Sequence, residues 1–274
     1  MANEAIRFGA KLLPVSSPLV MAIINATPDS FFAPSRASDQ ADLRAAVLRA
    51  VDEGADILDI GACSTRPSVQ NGKQVLADAE QEWQRLSMAL SIVREMNCGL
   101  PVSVDTFRPE IARRAIEQFG VEMINDISGG SDPMFQVVAE HNVAYVLTYH
   151  RPADAPATTG HLLADCIDYL SRRVDLLHRL GVSDVVIDPG FGFNQSVQQS
   201  LLLLDNLRAL THIGCPILAG ISRKRMAYEP HGLTPETCLE PTLNLERIAI
   251  AQGAAILRVH DITATKKMIT MKGN

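Results

Sequence analysis

The chain has 274 residues, 47% of them hydrophobic, and a formal net charge of −6 at pH 7. That length suits two ordinary domains or one α/β barrel of about 250 residues. The acidic balance speaks against a nucleic-acid surface or a polybasic membrane contact, so an anionic ligand must be held by a local cluster of cations.

The first residues, "MANEAIRFGAKLLPV", carry an early glutamate and an apolar stretch too short for a secretion signal. No uninterrupted apolar run approaches the ~20 residues of a transmembrane helix. Five scattered cysteines without a C-x-x-C pair suit a reducing compartment and argue against a disulfide framework or a zinc site. A cytoplasmic protein is expected.

The predicted elements begin at "LVMAIIN" (Leu19–Asn25), a strand-length apolar run, followed by "NATPDSFF" with its turn-forming Thr-Pro-Asp. "DLRAAVLRAVDEG" then places Leu43, Val47 and Val51 on one helical stripe that stops at Gly54. "ADILDIG" (Ala55–Gly61) is the second strand and runs into "GACSTRP". "LPVSVD" (Leu100–Asp105) is the third. "PEIARRAIEQFG" follows as a helix that opens on proline and closes on Gly120. Five more runs complete the series: Val121–Asp126, Val143–His150, Asp184–Gly190, Cys215–Gly220 and Ala254–His260.

Eight strands alternating with helices imply a parallel sheet, and eight close into a (β/α)8 TIM barrel; an open doubly wound sheet is the alternative. No linker or charge block divides the chain, so a single domain, 1–274, is expected, with its core at about 19–270. Nearly every strand ends in a polar residue: Asn25, Asp59, Asp105, Asn125 with Asp126, His150, Asp188, and Arg258 with His260. Ser222 and Lys224 stand just past the seventh. In a barrel these ends converge on one mouth, where sites lie.

Each motif also has a plain reading. "NATPDSFF" reads alone as an ordinary turn, and the arginine of "GACSTRP" as a solvated loop residue, although small residues and one guanidinium suit an oxyanion. "SVDT" and "INDISGG" fit helix caps. With Asp188 they also supply the acceptors that a flat, donor-rich heterocycle such as an aminopyrimidinone requires. "SRKR" (Ser222–Arg225) fits a solvated helix start, yet loops after the last two barrel strands are the usual phosphate site.

In this order, "NATPDSF", "STRP", "SVDT", "IND", "DPGFGF", "SRK" and "RVHD" resemble the dihydropteroate synthase family, from about Leu19 to Asp261. These are sulfonamide-inhibited barrel enzymes of folate synthesis. The resemblance implies condensation of 6-hydroxymethyl-7,8-dihydropterin diphosphate with 4-aminobenzoate, Mg2+ as cofactor and a homodimer. It places Asp105, Asn125, Ile127, Asp188, Phe193, Gly220, Lys224 and Arg258 around the pterin. Asn25, Thr65, Arg66, Arg258 and His260 would hold the diphosphate, with Asn25 also reaching the metal. Phe31, Thr65, Arg66, Pro67, Ser222 and Lys224 would shape the aminobenzoate pocket. Asp105, Lys224, Arg258 and Arg66 would carry catalysis.

Three stretches depart from that pattern: "FFAPSRAS" lacks the usual aspartate and glycines, Ala62 and Cys63 replace glycine and glutamate, and Thr148, Tyr149, His150 replace Met-His-Met. The last is expected to put a polar group where the family has an apolar wall of the pterin pocket. Two competitors share the fold, a pterin-dependent methyltransferase and a non-catalytic pterin-binding protein. The connections Thr27–Asp39 and Ala62–Gln74 read as long and poorly anchored, so ligand is expected to order them. Labelled 4-aminobenzoate should therefore bind measurably only alongside a pterin, diphosphate and Mg2+; equal affinity for the ligand-free protein would contradict this.

Overall fold

The computed structural model describes residues 5–26, 36–63, 68–70, 73–75, 78–152 and 160–271. Phe31, Thr65, Arg66 and Pro67 lie outside these residues. Two short strands, β1 (Ala5–Phe8) and β2 (Lys11–Pro14), come first. Then follow β3 (Leu19–Asn25), α1 (Arg36–Asp52), β4 (Ile57–Gly61), β5 (Ser68–Gln70), β6 (Lys73–Val75), α2 (Ala79–Met96), β7 (Val102–Asp105) and α3 (Pro109–Phe119). Next are β8 (Met123–Asp126), α4 (Asp132–His141), β9 (Ala144–Thr148), α5 (Leu162–Arg179), β10 (Val185–Asp188) and α6 (Val197–Asp205). The chain ends with β11 (Ile217–Ala219), α7 (Arg225–Tyr228), α8 (Leu239–Ala251), β12 (Ala254–Val259) and α9 (Ile262–Thr270).

Eight strands, each parallel to its neighbours, close into a barrel in the order β10-β11-β12-β3-β4-β7-β8-β9. The open sheet is thereby excluded. All eight expected strands form within the expected runs. They read as continuous apolar segments because barrel interior and helix layer bury both faces. α3 has Pro109 in its first turn and ends at Gly120, whose φ of 69° needs no Cβ to be avoided.

Strand periodicity then sorts the side chains. Met21, Ile57, Met123, Ala144, Val146, Val186, Leu218 and Ile256 fill the lower barrel interior as one apolar cluster. The intervening residues, among them Ile24, Leu58, Val104, Ile124, Tyr145, Leu147 and Ile187, join the larger cluster under the helices. Continuing the inward series by two residues toward the C-terminal ends reaches Asp59, Asn125, Thr148, Asp188, Gly220 and Arg258. The interior changes from apolar to polar at one level.

Two hairpins were not expected. In β1, Ile6 and Phe8 are buried in the same cluster as the inward barrel residues, so the β1–β2 pair plugs the N-terminal end of the barrel. Arg7 pins it to Asp184 through its backbone N–H (3.0 Å) and its guanidinium (3.2 and 3.1 Å). The second hairpin pairs β5 with β6 inside the connection read as poorly anchored, and α1 already begins at Arg36, inside the first such connection.

Away from the mouth, Glu246 on α8 is buried and accepts from Thr265 Oγ1 on α9 at 2.9 Å, while its other oxygen has no partner. Burial pushes its carboxyl up to about 7. The folded chain therefore holds a proton that the unfolded chain releases in the window from 4.5 to about 7, and stability falls as pH rises through it. Glu246→Gln should raise Tm by roughly 3–6 °C at pH 8 and by a small fraction of that at pH 5. Thermal melts at the two pH values check this; a pH-independent difference would refute it.

Candidate active site

Asp59 stands at the centre of the polar layer. It is fully buried, so its carboxylate has to be partnered inside the barrel. Its Oδ1 accepts from Ser103 Oγ at 2.6 Å, and its Oδ2 accepts from Asn125 Nδ2 at 3.0 Å and Arg258 Nε at 2.6 Å. The other arm of the Arg258 guanidinium donates from Nη2 to Asp105 Oδ2 at 2.7 Å. One arginine on β12 thus forks between carboxylates on β4 and β7. Burial works against the Arg258 charge, but Asp59 and Asp105 more than offset it and hold its pKa above the ordinary value. Burial also pushes the Asp105 carboxyl up to about 7, against the pull of Arg258.

Across the barrel, Asp188 ends β10. Its Oδ1 accepts the Gly190 N–H at 2.7 Å. Gly190 has φ of 69°, and a Cβ there would lie 2.0 Å from the Tyr149 carbonyl oxygen, so the turn after the aspartate admits glycine alone. Burial raises the Asp188 pKa, opposed by Lys224, the Gly190 N–H and Arg258. Lys224 donates from Nζ to the Phe191 carbonyl at 2.6 Å and lies 4.8 Å above the Phe193 ring. Burial lowers its pKa to about 8 against the nearby Asp188. A Cβ on Gly220 would stand 3.7 Å from Lys224 Nζ and 3.9 Å from Asp188 Oδ2, so the missing side chain keeps open the space between them.

At the rim, Ser222 Oγ pairs with His260 Nδ1 at 3.0 Å and accepts the His260 N–H at 3.2 Å. The next residues, Arg223 and Asp261, form a two-pronged pair at 3.2 and 2.7 Å, so Arg223 is turned to a structural role. A cavity of about 470 Å³ is lined by Phe193, Gly220, Ser222, Lys224, Arg258 and His260, six of the residues expected to share a site. Asn25 is exposed at the end of β3. A Cβ on Gly61 would lie 3.8 Å both from Asn25 Oδ1 and from Asp105 Oδ2. Such hard oxygen donors are of the kind that Mg2+ takes as ligands. Among the described residues no cluster of three His, Cys, Asp or Glu side chains could hold a metal by itself.

Some expectations change. Asp126 does not belong to the mouth. It faces the helix layer and accepts from Ser128 N (2.8 Å), Ser128 Oγ (2.6 Å) and Tyr145 Oη (2.8 Å), because adjacent strand residues point to opposite faces. The same parity splits the 148–150 stretch: Tyr149 is buried outward against Tyr169, and Thr148 points inward. His150 is tied to the Ile127 carbonyl at 3.1 Å and to Asn194 Nδ2 at 3.2 Å, and its ring lies 5.9 Å from that of Phe193. Its polar atoms are thereby engaged, and the polar group put into the barrel is the Thr148 hydroxyl. Ile127 is half-buried just past Asn125, with its carbonyl in that bond. Asp59 stood in the sequence as one more polar strand end without a role. The signal available was its parity, two residues past the inward Ile57.

Buried acceptors interleaved with the cations Lys224 and Arg258 at the barrel mouth define an enzyme site suited to a flat, donor-bearing heterocycle. Residues 21–260 match the family described as pterin binding enzyme, and the chain belongs to that family. It is 35% identical over 260 residues to a dihydropteroate synthase of Bacillus subtilis, covering 92% of this chain and 87% of the relative. It is 33% identical over 265 residues to an inactive dihydropteroate synthase 2 of Mycobacterium leprae, covering 92% and 89%. Its fold matches, with a TM-score of 0.89 and 34% identity over 100% of this chain and 98% of the other, that of the Xanthomonas albilineans dihydropteroate synthase solved with 4-aminobenzoic acid.

Asp59 reaches the site only through Arg258 and Asn125. Asp59→Asn should leave the protein folded, cost about 1–3 kcal/mol of stability, and lower kcat/KM by roughly 10- to 100-fold as the fork loosens. Steady-state kinetics beside thermal melts check this; a variant with lost stability and unchanged kcat/KM would make Asp59 purely structural.

Proposed function

We propose that this chain is a dihydropteroate synthase, condensing 6-hydroxymethyl-7,8-dihydropterin diphosphate with 4-aminobenzoate to give 7,8-dihydropteroate and diphosphate. The observation that carries the reading is the Arg258 fork. It fixes a guanidinium between the buried carboxylate layer and the rim where His260 and Ser222 stand. A methyltransferase working on a neutral pterin has no need of cations placed to hold a diphosphate.

In this reading Asp188 accepts the N3–H and one 2-amino hydrogen of the ring, and Asn125 offers its unpartnered Oδ1 to another ring donor. Lys224 lies beside the same ring, and Phe193 walls the pocket. The bond from the methylene carbon to the diphosphate oxygen breaks with its electron pair leaving on oxygen, an SN1-like departure. The ring nitrogens delocalise the resulting positive charge, and the Asp105 carboxylate stabilises it. Arg258 and His260, with Arg66 and Thr65 from the loop outside the described residues, stabilise the departing anion. The aminobenzoate nitrogen then forms the new carbon–nitrogen bond and gives up a proton to the released diphosphate or to water. Its pocket would be shaped by Ser222 and Lys224 with Phe31, Thr65, Arg66 and Pro67. Mg2+, reached by Asn25, would supply further charge neutralisation of the diphosphate. No covalent intermediate on the enzyme is needed.

The same kinship supports a homodimer, a cytoplasmic location and sensitivity to sulfonamides. No helix among the described residues is long and apolar enough to cross a membrane. A second reading, a pterin-binding protein without turnover, is favoured by the relative named inactive and by the departures at Ala62 and Cys63. The deciding experiment is diphosphate release from the dihydropterin diphosphate with Mg2+. Release that depends on 4-aminobenzoate and yields dihydropteroate is expected; pterin binding without release would establish the second reading.

A further inference from the structure

We infer that Thr148 is a specificity-determining residue, whose hydroxyl recognises the exocyclic 2-amino group of the pterin; this rests on the pterin-site reading above. Thr148 ends β9, with strand partner Asp188 on β10. It continues the inward series of Ala144 and Val146, so its side chain enters the barrel at the level where the interior turns polar. It is fully buried, and its Oγ1 has no hydrogen-bond partner. Its Cγ2 methyl lies 3.2 Å from where a Cβ on Gly190 would stand, so the methyl packs beside the turn that holds Asp188.

A buried hydroxyl without a partner destabilises a fold, and a valine of the same shape would avoid the penalty. Among the described residues only two other buried side-chain atoms share this condition, Asn125 Oδ1 and Glu246 Oε1. Glu246 lies far off between α8 and α9. Asn125 and Thr148 stand on adjacent strands, β8 and β9, and Asp188 follows on β10. The three therefore form a continuous arc of groups able to accept hydrogen bonds on one wall of the barrel.

A 2-amino group has two N–H bonds. The in-plane pairing with Asp188 uses only one of them, together with N3–H. The other points past the carboxylate to a neighbouring strand, and Thr148 is the inward polar group of the strand next to Asp188. A hydroxyl serves there as acceptor while rotating its own hydrogen elsewhere. A pteridine with only hydrogen at that carbon in place of the amine offers the hydroxyl neither a donor nor an acceptor, so the contact selects between the two.

The experiment is calorimetric titration of wild type, Thr148→Val and Thr148→Ser with 6-hydroxymethylpterin and with its 2-desamino counterpart, 6-hydroxymethylpteridin-4(3H)-one, beside thermal melts of the ligand-free proteins. Thr148→Val should bind the aminopteridine about 5- to 20-fold more weakly, bind the desamino compound as wild type does, and melt no lower than wild type. Thr148→Ser, which keeps the hydroxyl, should retain most of the preference. Unchanged aminopteridine affinity in Thr148→Val, or equal losses for both compounds, or a serine variant as impaired as the valine, would each overturn the inference. Wild-type protein that bound neither pteridine would overturn the pterin-site reading itself, and this inference with it.

Discussion

The ion pair between Asp59 and Arg258 governs the mouth of this barrel. A carboxylate with no exposed surface is stable only if it is paired and its remaining lone pairs are used, because desolvating a lone charge costs several kcal/mol. Asp59 meets that condition with three donors from three strands, β7, β8 and β12. Arg258 in turn passes its second arm to Asp105. Four strands are thereby locked at the level where the site begins, and each side chain expected to touch substrate in that sector is held by a neighbour from another strand. Replacing the network with apolar residues would give a tighter barrel without a charge to offer at its mouth.

Burial acts on the charges differently according to their partners. Asp105 and Asp188 are both pushed upward by burial, and each is drawn back by a cation, Arg258 in the first case and Lys224 in the second. Lys224 is itself held low, to about 8, by the same burial. Asp105, at about 7, and Lys224, at about 8, are therefore both displaced toward neutral pH, whereas Arg258 stays charged. Titratable groups pushed toward neutrality in a cleft are what a site looks like before its ligand supplies the missing partners.

Much of this was legible in the residues. The eight strands, their ends and the closed topology follow from β-branched runs alternating with amphipathic helices, and Asp105, Asn125, Asp188, Lys224, Arg258 and His260 converge as the barrel requires. What escaped has definite physical causes. The N-terminal hairpin depends on four-residue strands around Gly9, too short for a periodic signal to stand out. Asp126 looked like a site residue because polarity at a strand end does not reveal the side of the sheet; only the parity fixed by Met123 and Asn125 does. Asp59 was visible but lacked a role, since its importance lies in bonds to residues 44, 66 and 199 positions away. Phe31, Thr65, Arg66 and Pro67, which the resemblance assigns to the second substrate, lie outside the described residues.

The interior of the barrel is therefore divided by function along its axis. Below the level of Asp59, inward positions carry Met, Ile, Val, Leu and Ala, with the β1–β2 plug closing the end, and packing alone holds them. Above it, hydrogen bonds replace packing, and they are incomplete by design of the ring: Asn125 gives its amide nitrogen to Asp59 and keeps an oxygen with no partner, and Thr148 keeps a hydroxyl. Substitutions that satisfied those atoms internally would stabilise the empty barrel. They would also remove the two acceptors left open toward the mouth, so in the proposed function the same atoms that lower stability set what the barrel can bind.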